Sequence, residues 1–230
     1  MNRQDAVEIA DVLAERLRGT PLLPPRQIVR VEGEVTALMP CLNAMLTLPL
    51  AIYALARQSV PVRLLLLDQE STDGTGDYIF SKTVEAFWLS RGLREFRFLG
   101  IVKDHVEYAD PNVRKQKNLE HGLARLCEAV ETPYTLFVDA DVECPPGGVR
   151  DMQDALKADA KIGMVGFCYE DADHLQLGCS MMPTEIAKSL AWRTVGCPCR
   201  WANDEIVRMG YRVERMNPLS RMARHLKREV

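Results

Sequence analysis

Val62-Arg-Leu-Leu-Leu-Leu-Asp68-Gln69-Glu-Ser71-Thr72-Asp73-Gly74-Thr75 is the stretch whose reading decides the fold. Its first half is a short, almost continuous apolar run, which marks a strand covered on both faces. Its second half supplies Ser71, Thr72 and Asp73 as caps for a helix that opens at Gly74-Thr75. Asp68 closes the strand, and no cap or core position there calls for an acid. A carboxylate at that place can accept hydrogen bonds from a ribose or a base. The alternative is a solvated Asp68 beside a cap built wholly from Ser71 to Asp73.

The same alternation extends to either side. Upstream, Val35 to Met39 reads as a strand and residues 48 to 58 as a helix. Downstream follow a helix over about 75–90, a strand near Phe96 to Val102, a helix over about 113–130 and the strand Tyr134 to Val138. Apolar strands separated by helices predict an α/β fold with a mostly parallel central sheet and helices on both faces. Such sheets bind ligands beyond the carboxyl ends of their strands. Here those ends are polar: Pro40-Cys-Leu42-Asn43, Asp68 to Thr75, and Asp139-Ala140-Asp141.

Asp139 and Asp141 stand two apart directly after Leu136-Phe-Val138, and Pro145-Pro-Gly-Gly148 forces a turn soon afterwards. Two carboxylates at a strand end can share Mg²⁺ or Mn²⁺, whose shell phosphate oxygens and water then complete. The plainer alternative is a turn in which one aspartate caps the next helix.

Composition narrows the class. A chain of 230 residues, 47% hydrophobic and with a net charge of -3, can bury a full core and offers no global attraction to a phosphate backbone. Residues 1–25 read as an amphipathic helix followed by the connector Pro21-Leu-Leu-Pro-Pro25, not as a signal peptide. No apolar run is long enough to span a bilayer, so a cytoplasmic protein is expected. Residues 217–230 place Leu219, Met222, Ala223, Leu226 and Val230 at helical spacing among Arg221, Arg224, Lys227 and Arg228. Such a basic amphipathic tail can pack on the protein itself or lie peripherally on an anionic membrane. Seven scattered cysteines form no disulfide framework. Cys197-Pro-Cys199 supplies half of a zinc site if His174 or Cys179 folds beside it; otherwise these are packed or surface thiols.

Taken together, Pro40-x-x-Asn43, Asp68-x-x-Ser71-x-Asp73-Gly74-Thr75 and Asp139-x-Asp141 resemble, in order and spacing, the family 2 glycosyltransferases of GT-A fold. Arg114-Lys115-Gln-Lys117-Asn118 is similar to a basic stretch that precedes the metal motif in that family. The resemblance is closest over about 35–147 and looser to about 213. It implies a single domain over residues 30–216, with a nucleotide-sugar-binding half (30–147) and an acceptor-side half (148–216). Pro40, Leu42, Asn43, Asp68 and Gln69 would line the base and ribose pocket. Asp139 and Asp141 would hold Mn²⁺ or Mg²⁺, with Ala140 between them; Lys115 or Lys117 would neutralise the diphosphate, and Asn118 would orient it.

Two departures limit that implication. Gln69 stands where many members carry a second carboxylate that reads uracil, which weakens a strict preference for uridine donors. The acceptor-side base is expected on the first turn of a helix before Gly210-Tyr211; the acids there, Asp204 and then Glu205, lie nearer to Gly210-Tyr211 than the family pattern expects. Inverting transfer to a hydroxyl is the favoured reaction. A sugar-1-phosphate nucleotidyltransferase is the rival enzyme, although Pro40 to Met45 lacks the glycines of a triphosphate loop. A degenerate binding module is the non-enzymatic rival. Glycan, lipid-linked carrier, protein and modified nucleobase all stay open as acceptors, as does the oligomeric state.

Overall fold

Strand β1 (Val35–Cys41) lies in the middle of the sheet, and every residue in it except Pro40 is buried. The computed structural model describes residues 33–102, 111–167, 174–192, 197–216 and 224–226, with backbone alone for 111–116, 118, 224 and 225. The expected N-terminal helix lies outside these residues. Strand β1 pairs in parallel with β2 (Val62–Asp68) on one side and β4 (Tyr134–Val138) on the other. Beyond β2 lies β3 (Glu95–Ile101), also parallel. The full order is β3-β2-β1-β4-β7-β6-β8, with β6 at Ile162–Gly166, β7 at Cys179–Pro183 and β8 at Arg212–Arg215. In this sheet β7 runs against both its neighbours and the other strands run together.

Successive residues of a strand face opposite sides, and that alternation builds two cores. Ala37, Met39, Leu64, Leu66, Leu136 and Val138 join one of them. It is closed by α1 (Leu48–Ala56), α3 (Lys82–Ser90) and α5 (Gly148–Ala158), through residues such as Ile52, Trp88 and Met152. Leu38, Leu65, Leu67 and Phe137 join the other. That core is closed by α4 (Pro111–Glu128), α6 (Thr184–Ser189) and α7 (Pro198–Arg208), through Leu123, Ile186 and Ile206. Leu64 to Leu67 are each at most 1% exposed. A fully buried leucine is worth about 1.5–3 kcal/mol, so this strand anchors both layers at once.

Two local expectations are corrected. The helix expected over 75–90 is two helices, α2 (Thr75–Phe80) and α3, because Ser81 turns extended and its hydroxyl caps Val84 N–H. The described part of the C-terminal tail is not helical. Arg224–His225 forms β9, which pairs antiparallel with β5 (Val142–Glu143) just after the paired aspartates.

The turn at Pro145 to Gly148 has a plain cause. Gly147 takes φ +75°, and a Cβ on Gly148 would lie 2.9 Å from Pro145 and 3.0 Å from Phe167. No side chain of that turn caps α5. The buried Gln58 amide does so from just beyond the end of α1, with its oxygen accepting Val149 N–H and its nitrogen donating to Pro145 O. No helix among the described residues is long and apolar enough to cross a membrane.

Candidate active site

The loops after β1 and β2 are zipped together by the polar residues of the two sequence motifs. Ser71 Oγ accepts the Asn43 amide at 2.8 Å, and Asn43 Oδ1 accepts the Thr72 amide at 2.8 Å. Thr75 Oγ1 accepts Ala44 N–H and donates to Asp73, whose other oxygen accepts Met45 N–H at 3.0 Å. Burial alone would raise the Asp73 carboxyl, but the Thr75 hydroxyl and the Met45 and Thr75 amides outweigh it and hold the group below its ordinary value. Asn43 and Glu70 both sit at positive φ, 48° and 60°, inside these turns.

Asp68 is only 2% exposed, and its carboxylate accepts the Ser71 amide at 3.1 Å. This supplies the structural reason for an acid that the sequence reading lacked: Asp68 folds the loop that follows it. Gly76 packs over the same carboxylate, where an added Cβ would stand 3.3 Å from Oδ2. Gln69 is 7% exposed and lies beside Gly122 of α4, so it faces the opposite side of the sheet from Asp68.

Register places the paired aspartates next to these loops. Leu38 is level with Phe137, and Pro40 with Leu67. Continuing the β1–β4 register by two residues sets Asp139 beside Pro40, at the same edge as Asp68. Asp139 N–H donates to Gly178 O, Val142 N–H donates to Asp139 O, and Leu226 N–H donates to Asp141 O at 2.7 Å. The short motif is therefore held from both sides, by the segment before β7 and by β9. Asp139 and Asp141 are half-buried. Two carboxylates fixed on one short turn are hard oxygen donors, a set that fits Mg²⁺ or Mn²⁺.

Helix α4 separates the two candidate lysines. Positions 115, 118 and 122 share one face at 100° per residue, and Gly122 on that face meets Leu67, Gln69 and Val102. That face, seen at Gly122, packs toward β2. Lys117 is off that face and pairs with Glu120 at 2.7 Å.

Helix α7 corrects where the two acceptor-side acids fall in their helix. It begins at Pro198, its first turn carries no acid, and Asp204 and Glu205 fall in its second turn. Asp204 is exposed, and Glu205 is bound by Arg208 through both carboxylate oxygens. Asn203 lies inside α7. It clasps Leu175 by accepting its amide and donating to its carbonyl, and it also donates to Cys199 O. Neither acid shares the helix face of Cys199 and Asn203.

Near the start of α7 stand His174, Cys197 and Cys199, whose ligand atoms lie within 4.8 Å of one another. Burial chiefly pushes the Cys199 thiol up to about 12; Leu177 N–H opposes the rise, while Cys197 and Asp139 add to it. Cys179, the other partner considered, lies instead in the core against Cys144. A separate cleft lined by Glu120, Cys127, Lys188 and Trp192 shares no residue with the expected donor site.

A mannosyltransferase from Pyrobaculum calidifontis, solved with GDP-Man and Mn²⁺, matches 99% of this chain at a TM-score of 0.61 and 18% identity. The fold is GT-A. The glucosyl-3-phosphoglycerate synthase of Mycobacterium tuberculosis, solved with Mg²⁺ and uridine diphosphate, shares this GT-A core over 90% of the chain at a TM-score of 0.54 and 17% identity. S. aureus TarS 1–349 does so over 84% at a TM-score of 0.56 and 12% identity. The chain spans 66%, 78% and 60% of those three proteins respectively. No protein-family model matches the chain, and no curated protein sequence does.

Proposed function

We propose that the chain is a metal-dependent glycosyltransferase that takes a sugar from a nucleoside-diphosphate donor, a uridine donor being favoured, and passes it to an acceptor hydroxyl with inversion. The observation that carries the reading is the placement of Asp139 and Asp141 just beyond β4, beside the polar ends of β1 and β2. The GDP-Man, uridine diphosphate, Mn²⁺ and Mg²⁺ in the similar structures support the donor class.

Each group has a physical task. Asp139 and Asp141 hold the cation, and their mutual repulsion in its absence makes an anionic donor unwelcome. When bound, Mn²⁺ or Mg²⁺ stabilises the negative charge that collects on the departing diphosphate. Pro40, Leu42 and Asn43 form one wall for the nucleoside. Asp68 fixes the turn that shapes the other wall, and the Gln69 amide supplies a donor and an acceptor for a base edge. Lys115 or Lys117 would neutralise the diphosphate from α4, and Asn118 would orient it.

The test is a mass-spectrometric screen of uridine and guanosine diphosphate sugars for hydrolysis and transfer, with and without Mn²⁺. Mn²⁺-dependent consumption of one donor is expected. Failure to bind or consume any nucleotide sugar overturns the proposal. Consumption of a sugar 1-phosphate with nucleoside triphosphate would replace it with nucleotidyl transfer.

A further inference from the structure

We propose a second metal site, distinct from the donor cation site, in which His174, Cys197 and Cys199 bind Zn²⁺ and staple the segment before β7 to the start of α7. The ligand atoms of the three residues already lie within 4.8 Å of one another, and His174 Nε2 stands 3.4 Å from Cys197 Sγ. A tetrahedral zinc with Zn–S near 2.3 Å and Zn–N near 2.0–2.1 Å requires ligand separations of about 3.5–3.8 Å. The cluster therefore needs only a small contraction to close on the ion. Two sulfurs and an imidazole are the donors that Zn²⁺ prefers over Mg²⁺ or Mn²⁺. The three ligands found among the described residues leave a fourth position on the exposed side, where Cys197 lies.

The surroundings hold the ligands before any metal arrives. Cys199 Sγ accepts Leu177 N–H at 3.4 Å, and Asn203 grips Leu175 from both of its backbone groups. Pro198, at the first position of α7, fixes the backbone between the two cysteines. The stapled segment ends at Gly178, whose carbonyl accepts the Asp139 amide at 3.1 Å. Zinc at this place would brace the chain that supports the donor-site aspartates. The two sites would nevertheless differ in their ligand chemistry and in the ions they take.

Cobalt provides the test, because thiolate-bound Co²⁺ shows an intense near-ultraviolet charge-transfer band and tetrahedral visible bands. The full-length chain, purified without chelator and then exchanged, is expected to bind one equivalent of Co²⁺ with both signatures, and Zn²⁺ should displace it. Cys197→Ser, at an exposed position that spares the fold, should weaken binding by at least 100-fold, since even changes outside the ligand shell cost about 10–100-fold. His174→Ala should do the same, and Cys199→Ser should lower the thiolate charge-transfer intensity. Asp141→Asn should leave the cobalt spectrum unchanged, which separates this site from the donor cation. A Co²⁺ spectrum without thiolate bands, or one unaltered in Cys197→Ser, overturns the proposal whether or not the chain transfers sugar.

Discussion

Asp73 Oδ2 accepts the amide of Met45 at 3.0 Å across the gap between the first two strand ends. With the Thr75 contacts it ties two loops 28 residues apart into one wall of the crevice. Asp73→Asn removes the charge from those hydrogen bonds. Bonds to a charged group contribute about 1.5–3 kcal/mol, reduced here because Asp73 is only half-buried. A loss of about 1–2 kcal/mol in unfolding free energy is expected by urea titration at neutral pH. The sign with pH follows from the lowered Asp73 carboxyl. Its contribution is complete above the ordinary value of 3.8 and is lost as pH falls through the lower folded value. The difference between parent and variant should therefore be constant from pH 7 to 5 and shrink only in strong acid.

Much of this wall was legible and part of it was not. Leu64 to Leu67 announce a doubly covered strand because each is a large aliphatic residue within one short run, and the structure splits them between the two cores as period two requires. Asn43 and Ser71 were visible as motif members, but their mutual hydrogen bond is a long-range fact that no local spacing carries. The start of α7 is legible in Pro198, a good first helical residue, and starting the helix there puts Asp204 and Glu205 beyond its first turn. The break at Ser81 is similar: a serine followed by Lys82 to Glu85 can cap a new helix, and periodicity alone carries across it. At 224–226 a helical pattern yields to pairing with Val142–Glu143, which lies some 80 residues away and has no trace in the local sequence.

Asp141→Asn tests the donor cation. A diphosphate beside two carboxylates is repelled unless a cation intervenes, so most Mn²⁺-dependent nucleotide affinity should vanish in the variant. Calorimetry with uridine and guanosine diphosphates, with and without Mn²⁺, gives the answer. Equal affinity of variant and parent in Mn²⁺ would displace the cation from this turn.

The two lysines of α4 should part company. Lys115 is on the face shared with Gly122, whereas Lys117 is off it and occupied by Glu120. Lys115→Ala is expected to weaken nucleoside-diphosphate binding by about tenfold, as loss of one favourable charge contact of about 1.4 kcal/mol implies. Lys117→Ala should change it by less than about twofold, since an exposed pair on a helix contributes only about 0.3–0.5 kcal/mol. The reverse order would mean that α4 presents a different face to the donor.

Asp204→Asn should leave turnover far above the roughly 100-fold loss that removal of a general base produces. Its place in the second turn of α7, exposed and turned from the Cys199–Asn203 face, is the reason. Glu205→Gln should cost stability through Arg208 more than rate. Single-turnover rates and melting temperatures of both variants decide the matter. A rate loss of 100-fold or more in Asp204→Asn, with donor affinity and melting temperature unchanged, would restore that residue as the base.

Truncation after Asn217 should act on the donor site and not on membrane binding. Residues 224–226 pair with β5, and Leu226 N–H donates to the carbonyl of Asp141 itself. Removing β9 leaves the Asp141 and Glu143 backbone without that partner, and a short two-residue strand has little else to hold it in place. The cation ligands should then lose their fixed geometry, which for a metal that demands well-placed oxygens means weaker binding. The expected outcome is a several-fold fall in Mn²⁺-dependent nucleotide affinity, read by calorimetry, together with a lower melting temperature. Flotation on anionic liposomes should find the parent and the truncated chain equally unbound. Strong flotation of the parent, lost on truncation and with nucleotide affinity unaltered, would instead make the basic tail a membrane contact and β9 incidental to the donor site.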